Sequence, residues 1–289
     1  MDTIALRYGS PDTVQRAARL LAAGRLVVLP TETVYGLAAS AVDATAVESI
    51  FRAKNRPTDN PLIAHFASPD EVRSLLPSGR PELHALVDAY MPGPLTLVVP
   101  SPRWAPAVLT AGLDSVAVRV PDLDMTRTII AHAGVPVAAP SANRSGRPSP
   151  TTFEMAWSEM AGRVDAIVDG RTCRIGIEST VLDGRDPDRP AILRPGQIVA
   201  RSIEEILRCP VVAHRGASDR SPGTRHRHYR PSVPVFRVPP DRWSDAIAEA
   251  RLRGVPAAVY RTVQHEANDV RVDVIEPEES IPIVELTQD

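Results

Sequence analysis

Leu26-Val27-Val28-Leu29-Pro30-Thr31-Glu32-Thr33-Val34-Tyr35-Gly36-Leu37 is the stretch on which the reading of this chain turns. Four apolar residues read as a buried strand. Three hydroxyl side chains and a carboxylate then appear just where that strand should surface. In open α/β sheets ligands settle beyond the carboxyl ends of strands, where loops supply exposed polar groups. A plain connector would turn on Gly, Asn or Asp, and this one carries Gly only at its end. The segment therefore reads as a functional loop on an α/β sheet.

The surrounding pattern supports that class. Ser10-Pro11-Asp12 predicts a helix start with Ser10 as N-cap and Pro11 in the first helical position. Val14, Ala17, Ala18 and Leu21 recur at helical spacing until Gly24 stops them. Asp43 opens a second helix carrying Val47, Ile50, Phe51 and Lys54. Strands are predicted at 61–66, 95–99, 116–120, 135–139, 165–168, 179–183 and 191–194, and helices at 69–76, 81–90 and 123–133. Strands alternating with helices predict an α/β domain. Near residue 211 the composition changes. Residues 214–231 are basic, polar and proline-containing, which reads as a linker. Beyond it a strand (Val233–Val238), a helix (Asp241–Arg253) and a strand (Ala257–Tyr260) predict a small α/β unit.

Composition narrows the function. At 289 residues and 43% hydrophobic content the chain can bury a sizeable core. A net charge of −2 gives no global attraction to nucleic acid or anionic membrane. No apolar run approaches the ~18 residues that span a bilayer, and the first residues carry no signal-like stretch, so neither export nor a membrane is expected. Cys173 and Cys209 stand apart, without the spacing of a disulfide framework or a zinc site.

Three further clusters carry chemistry. Lys54-Asn55-Arg56-Pro57, continuing to Asn60-Pro61-Leu62, holds two cations at a helix end and a stiff turn. Arg offers a fork that matches phosphate oxygens and Lys a compact charge, although both also complement a helix C-terminus. Neither standard glycine-rich nucleotide loop is present, so side chains would have to hold any phosphates. Pro140-Ser141-Ala142-Asn143-Arg144-Ser145-Gly146-Arg147-Pro148-Ser149-Pro150-Thr151 follows the strand at 135–139 as the first loop follows 26–29. Gly176-Ile177-Glu178-Ser179-Thr180 leads into another strand, and Arg194-Pro195-Gly196 closes one. His65 ends the strand after the Lys–Arg turn and is a ligand-binding candidate, whereas His84, His132 and His265 sit in ordinary contexts. His226 and His228 have metal-like spacing without a third ligand in view.

Taken in order, PTETVYGL, KNRPTDNPL, PGPLTLV, VAVRVP, PSANRSGRPSPT, GIESTV, ILRPG and SPGTRHRHYRP resemble the threonylcarbamoyl-AMP synthase family in its two-domain form. The resemblance covers about residues 10–231. Thr224 and His226 stand where the family more often shows methionine and tyrosine, and the tail looks shortened.

The resemblance implies a large twisted mixed-sheet α/β domain of YrdC type with a concave active-site cleft over residues 1–210. A basic linker (211–231) and a small, shortened C-terminal α/β domain (232–289) would follow. It implies that L-threonine, bicarbonate or CO2, and ATP become threonylcarbamoyl-AMP and pyrophosphate. The product would serve N6-threonylcarbamoyladenosine (t6A) modification of tRNA through separate transfer proteins in the cytoplasm, with tRNA itself touched only indirectly. By matching motif positions, Thr33, His65, Arg119, Ser141 and Ser179 would hold threonine. Lys54, Arg56, Asn60, Ser115, Asn143, Ser149, Thr151, Arg194 and Tyr229 would hold ATP, with Lys54 and Arg56 the catalytic pair. Mg2+ would arrive on the ATP phosphates rather than in a protein cage. Two rivals stand beside this: an RNA-binding module without catalysis, and a related enzyme that carbamoylates another amine.

Overall fold

Val27 and Leu29 pack on one side of the sheet and Val28 on the other. This two-residue alternation is what a strand covered on both faces requires. The computed structural model of the chain describes residues 2–10, 12–186, 188–213, 245, 248, 260–265 and 269–274. The chain divides into two compact units, Met1–Arg230 and Pro231–Asp289.

In the first unit the strands are β1 (Ile4–Leu6), β2 (Val27–Leu29), β3 (Gly36–Ser40), β4 (Ile63–His65), β5 (Leu95–Pro100), β6 (Ser115–Arg119), β7 (Val137–Ala138), β8 (Ala166–Val168), β9 (Thr180–Asp183), β10 (Ala191–Arg194) and β11 (Val212–Ala213). They form one sheet in the order β1-β8-β2-β3-β7-β4-β6-β5-β9-β10-β11. The sheet is mixed: β2 pairs antiparallel with β3 and parallel with β8, and β6 pairs parallel with β4 and antiparallel with β5. The large mixed-sheet α/β architecture implied by the resemblance is therefore present.

Helices cover the two faces. The helices α1 (Thr13–Ala22) and α6 (Asp124–Ala133) pack Ala17, Leu21, Ile129 and Ile130 against Val27, Leu29, Ala166 and Val168. On the other face α2 (Ala44–Lys54), α3 (Pro69–Arg73), α4 (Pro81–Tyr90), α5 (Ala107–Thr110), α7 (Phe153–Met160) and α8 (Ala200–Leu207) contribute to the larger core. Asp43 caps α2 as predicted, accepting from the amides of Thr45 (2.9 Å) and Ala46 (3.3 Å).

Several local expectations are corrected. The first helix starts at Thr13 with Asp12 in the cap position, and the Ser10 hydroxyl donates to the Asp12 carboxylate (2.7 Å) instead of capping. The Ser10 carbonyl is taken by Thr13 N (3.2 Å), so Ser10 closes a turn ahead of the helix. The predicted helix at 69–76 ends at Arg73, and the strand at 135–139 shrinks to Val137–Ala138. Six elements of this unit (β1, β3, α5, α7, α8 and β11) were not anticipated.

In the second unit β12 (Tyr260–His265) pairs antiparallel with β13 (Asp269–Val274). Of the predicted helix Asp241–Arg253 only Asp245 and Ala248 are described, and both are helical. The predicted strand Val233–Val238 and the linker motif with His226, His228 and Tyr229 lie outside the described residues.

Candidate active-site cleft

The site grows from two loops that lace together. In the first, the Thr31 hydroxyl donates to the Val34 carbonyl (2.6 Å) and accepts from the amides of Thr33 (3.1 Å) and Val34 (3.2 Å). It also sits 2.9 Å from the Thr33 hydroxyl. Thr31 thus makes a side-chain-closed turn that presents Thr33, which replaces the glycine such a turn would otherwise need. The second loop joins by backbone bonds, Leu37 N to Pro140 O (2.8 Å), Ala142 N to Tyr35 O (2.7 Å) and Tyr35 N to Pro150 O (2.9 Å).

Helix α2 ends at Asn55 in the left-handed conformation (φ 52°), which Asn tolerates better than most residues. The reversal separates the two cations. Lys54 turns inward, where its buried ammonium donates to the carbonyls of Ser141 and Asn143 (2.5 Å for the latter). Burial and the neighbouring Arg56 push the Lys54 amine well below its ordinary range. Arg56 turns toward the cleft, its Nη2 donating to the carbonyl of Pro61 (3.2 Å) and, at 3.4 Å, to that of Asn60. Among the described residues its buried Nε has no hydrogen-bond partner. Burial and the nearby Arg194 push the guanidinium down to about 10.

The sheet supplies the floor. Ile63 and His65 on β4 share one face, and Arg119 on β6 pairs with His65 across it. His65 is buried, and burial together with Arg119 depresses its imidazole to about 3. It is neutral at pH 7 and serves as a hydrogen-bonding group. Arg194, at the end of β10, donates twice to the Ser179 carbonyl (3.1 and 2.9 Å) and once to its hydroxyl (3.0 Å). That hydroxyl also meets Thr96 (2.7 Å). Ser141 donates to Asn143 Oδ1 (2.5 Å), and Asn143 Nδ2 holds the carbonyls of Arg144 (2.9 Å) and Arg147 (2.7 Å).

Together these side chains line an open cleft. Of the residues singled out from sequence, Thr33, Arg56, His65, Arg119, Ser141, Asn143, Ser149, Ser179 and Arg194 line it. Lys54, Asn60, Ser115 and Thr151 do not; Lys54 supports the lining loop from behind, and Asn60 and Ser115 are buried. Tyr229 lies outside the described residues. Sequence reasoning left three lining residues with polar side chains without a role: Thr31, Arg147 and Glu178. Glu178 accepts from Ser149 (2.5 Å), and Arg147 donates to Glu159 (2.9 Å). All three lay inside the quoted motifs, so the signal was present and only the assignment was missing. Cys173 is buried with its thiol pushed up to about 11 by burial, and it is not among the lining residues. Among the described residues no group of three or more His, Cys, Asp or Glu side chains is placed to hold a metal ion.

Residues 19–196, which carry this cleft on their mixed sheet, match the Sua5–YciO–YrdC family model, described as telomere recombination. The model described as the threonylcarbamoyl-AMP synthase C-terminal domain matches residues 198–284. The chain belongs to the threonylcarbamoyl-AMP synthase family. It is 40% identical to the threonylcarbamoyl-AMP synthase of Pyrococcus abyssi, across 89% of this chain and 78% of that protein. Against that of Bacillus subtilis it is 40% identical, across 86% and 74% respectively. The crystal structure of P. abyssi Sua5 complexed with L-threonine superposes with a TM-score of 0.82 at 36% identity, covering 100% of this chain and 84% of that one.

Proposed function

We propose that the protein is an L-threonylcarbamoyladenylate synthase, forming threonylcarbamoyl-AMP and pyrophosphate from L-threonine, bicarbonate or CO2, and ATP. The observation that carries this reading is Arg56. Its guanidinium lines the cleft with Arg194 close enough to depress it, and two cations brought together there favour an anion between them. The ATP phosphates are that anion. The relatives' names and the threonine bound to the P. abyssi protein point to the same chemistry.

The chemistry needs no enzyme nucleophile. Threonine's amine, having lost a proton, attacks CO2 to give a carbamate. A carbamate oxygen then bonds to the ATP α-phosphorus as the bond to the β-phosphate oxygen breaks, and pyrophosphate leaves with that electron pair. The protein's contribution is alignment and charge neutralisation. Arg56 and Arg194 face the phosphates with Asn143 and Ser149 beside them, while Asn60, Ser115 and Thr151 stand outside the lining of the cleft. Thr33, His65, Arg119, Ser141 and Ser179 take threonine, its carboxylate on Arg119. Lys54 acts by holding the carbonyls of Ser141 and Asn143. Mg2+ carried on the phosphates would supply further charge neutralisation.

Residues 1–210 would form the catalytic domain, followed by the linker 211–231, whose Tyr229 is a nucleotide-binding candidate, and by residues 232–289 as the small domain. The product would pass to t6A-transfer proteins in the cytoplasm, with tRNA met only indirectly. Pyrophosphate release from ATP, followed with and without threonine and bicarbonate, tests the reading. Release that requires both supports it, and release that ignores either one defeats it.

A further inference from the structure

We propose that Glu32 is a positioning residue for this reaction: its carboxylate sets the Arg119 guanidinium at the end of the cleft that takes the amino acid's carboxylate. The inference rests on the threonine site proposed above.

Both side chains are buried, and Arg119 Nη2 donates to Glu32 Oε1 at 2.6 Å. The second carboxylate oxygen, Oε2, accepts the Asp122 amide at 2.9 Å. Arg119 Nε donates to the Gly93 carbonyl at 3.1 Å. Two of the three guanidinium nitrogens are thus held by protein acceptors, which fixes the plane of the fork. Among the described residues Nη1 makes no such bond, while Arg119 lines the cleft. The Glu32 backbone is anchored as well, because its carbonyl accepts the Ile175 amide at 2.8 Å. Glu32 therefore ties the loop after β2 to the end of β6 and to the segment before Glu178. It belongs to the cleft wall without lining the cleft itself.

The carboxylate is required, not merely the size of the side chain. Both of its oxygens accept from N–H donors, whereas Gln has one oxygen and an amide that donates. In Glu32→Gln that amide must face either Arg119 or the Asp122 amide, and one of the two bonds is lost. A guanidinium released from its plane no longer meets a carboxylate in the two-pronged geometry that favours Arg.

The test measures KM for threonine, KM for ATP and kcat in the wild type, Glu32→Gln, Arg119→Lys and the double variant. If Glu32 acts through Arg119, Glu32→Gln raises the threonine KM about tenfold or more and leaves the ATP KM and kcat within about threefold. The double variant is then no worse than Arg119→Lys alone, because one interaction is removed twice. An unchanged or lowered threonine KM in Glu32→Gln overturns the proposal. So does a parallel rise in both KM values, or effects that add. Should Arg119→Lys itself leave the threonine KM unchanged, the threonine-site reading fails; a silent Glu32→Gln beside a responsive Arg119→Lys sinks this inference alone. If thermal melting shows that Glu32→Gln does not fold, Glu32→Asp is measured in its place. It keeps the charge one methylene short, and the same threonine-only rise is expected; no rise overturns the proposal.

Discussion

Lys54 and Arg56 stand two positions apart yet do different work. Lys54 donates backward to the carbonyls of Ser141 and Asn143, whereas Arg56 lines the cleft. Replacing Arg56 by Ala removes the phosphate-facing charge and should cut pyrophosphate release by about 100-fold or more with little change in melting temperature. Replacing Lys54 by Ala should cut release about as deeply and also destabilise the fold, since two buried carbonyls lose their donor. Wild-type turnover in either variant contradicts the assignment. His65 gives a pH prediction. Its imidazole sits near 3 when folded and near 6.5 when unfolded, so the unfolded chain takes up the proton first. Its contribution to stability is complete above about pH 6.5 and is lost as pH falls toward 3, at up to about 1.4 kcal/mol per unit. Urea midpoints measured from pH 7 to pH 4 should fall less steeply for His65→Asn than for the wild type; equal slopes would contradict the buried neutral imidazole. At this scale the residue types were legible and their directions were not. The sequence shows two cations at a helix end, but which faces phosphate depends on the left-handed turn at Asn55. Glu32 was quoted with its loop yet given no role, because its partner Arg119 lies 87 residues away.

The elements follow the same division. Helices α1 and α2 were legible from apolar spacing, and the strand ends carrying Thr33, His65 and Ser141 were legible from polar residues placed after apolar runs, whereas Arg119 was marked only by the resemblance. The hidden element is β3. Gly36-Leu37-Ala38-Ala39-Ser40 is buried throughout, so it shows no alternation, and it begins directly at the end of a polar loop. The pairing of β2 with β3 turns the loop between them into a hairpin tip with Gly36 bridging Ser141. Helix α7 was equally obscured, since its N-cap Thr152 lies at the end of a Ser/Pro-rich run that reads as coil. Close backbone approach sets another element-scale requirement. A Cβ on Gly196 would lie 2.6 Å from the Glu178 carbonyl oxygen and 2.7 Å from the Ser179 carbonyl carbon. Gly196→Ala should push the Glu178–Ser179 segment out of register with Arg194, lowering stability by about 1–3 kcal/mol. Urea unfolding and kcat/KM should both show the loss, and a variant indistinguishable from wild type would contradict this packing.

At the scale of the whole molecule, the mixed sheet gathers four arginines into a cleft on a chain whose net charge is only −2. Positive charge is concentrated where a small anion fits rather than spread over a surface that would hold a polyanion. Binding to tRNA should therefore be weak and lack a steep salt dependence, in contrast to an RNA-binding module. A tight, strongly salt-dependent complex formed without ATP consumption would favour that rival. The architecture was legible from the order and spacing of the motifs, while the eleven-strand order of the sheet was not, because β7 and β8 insert between strands far from them in sequence. The central claim is that one cleft joins threonine, CO2 or bicarbonate and ATP. It is tested most directly by pyrophosphate release screened across the amino acids with bicarbonate present, alongside detection of the adenylate product. The account predicts release and threonylcarbamoyl-AMP with L-threonine alone; equal release with other amines, or with no amino acid at all, would contradict it.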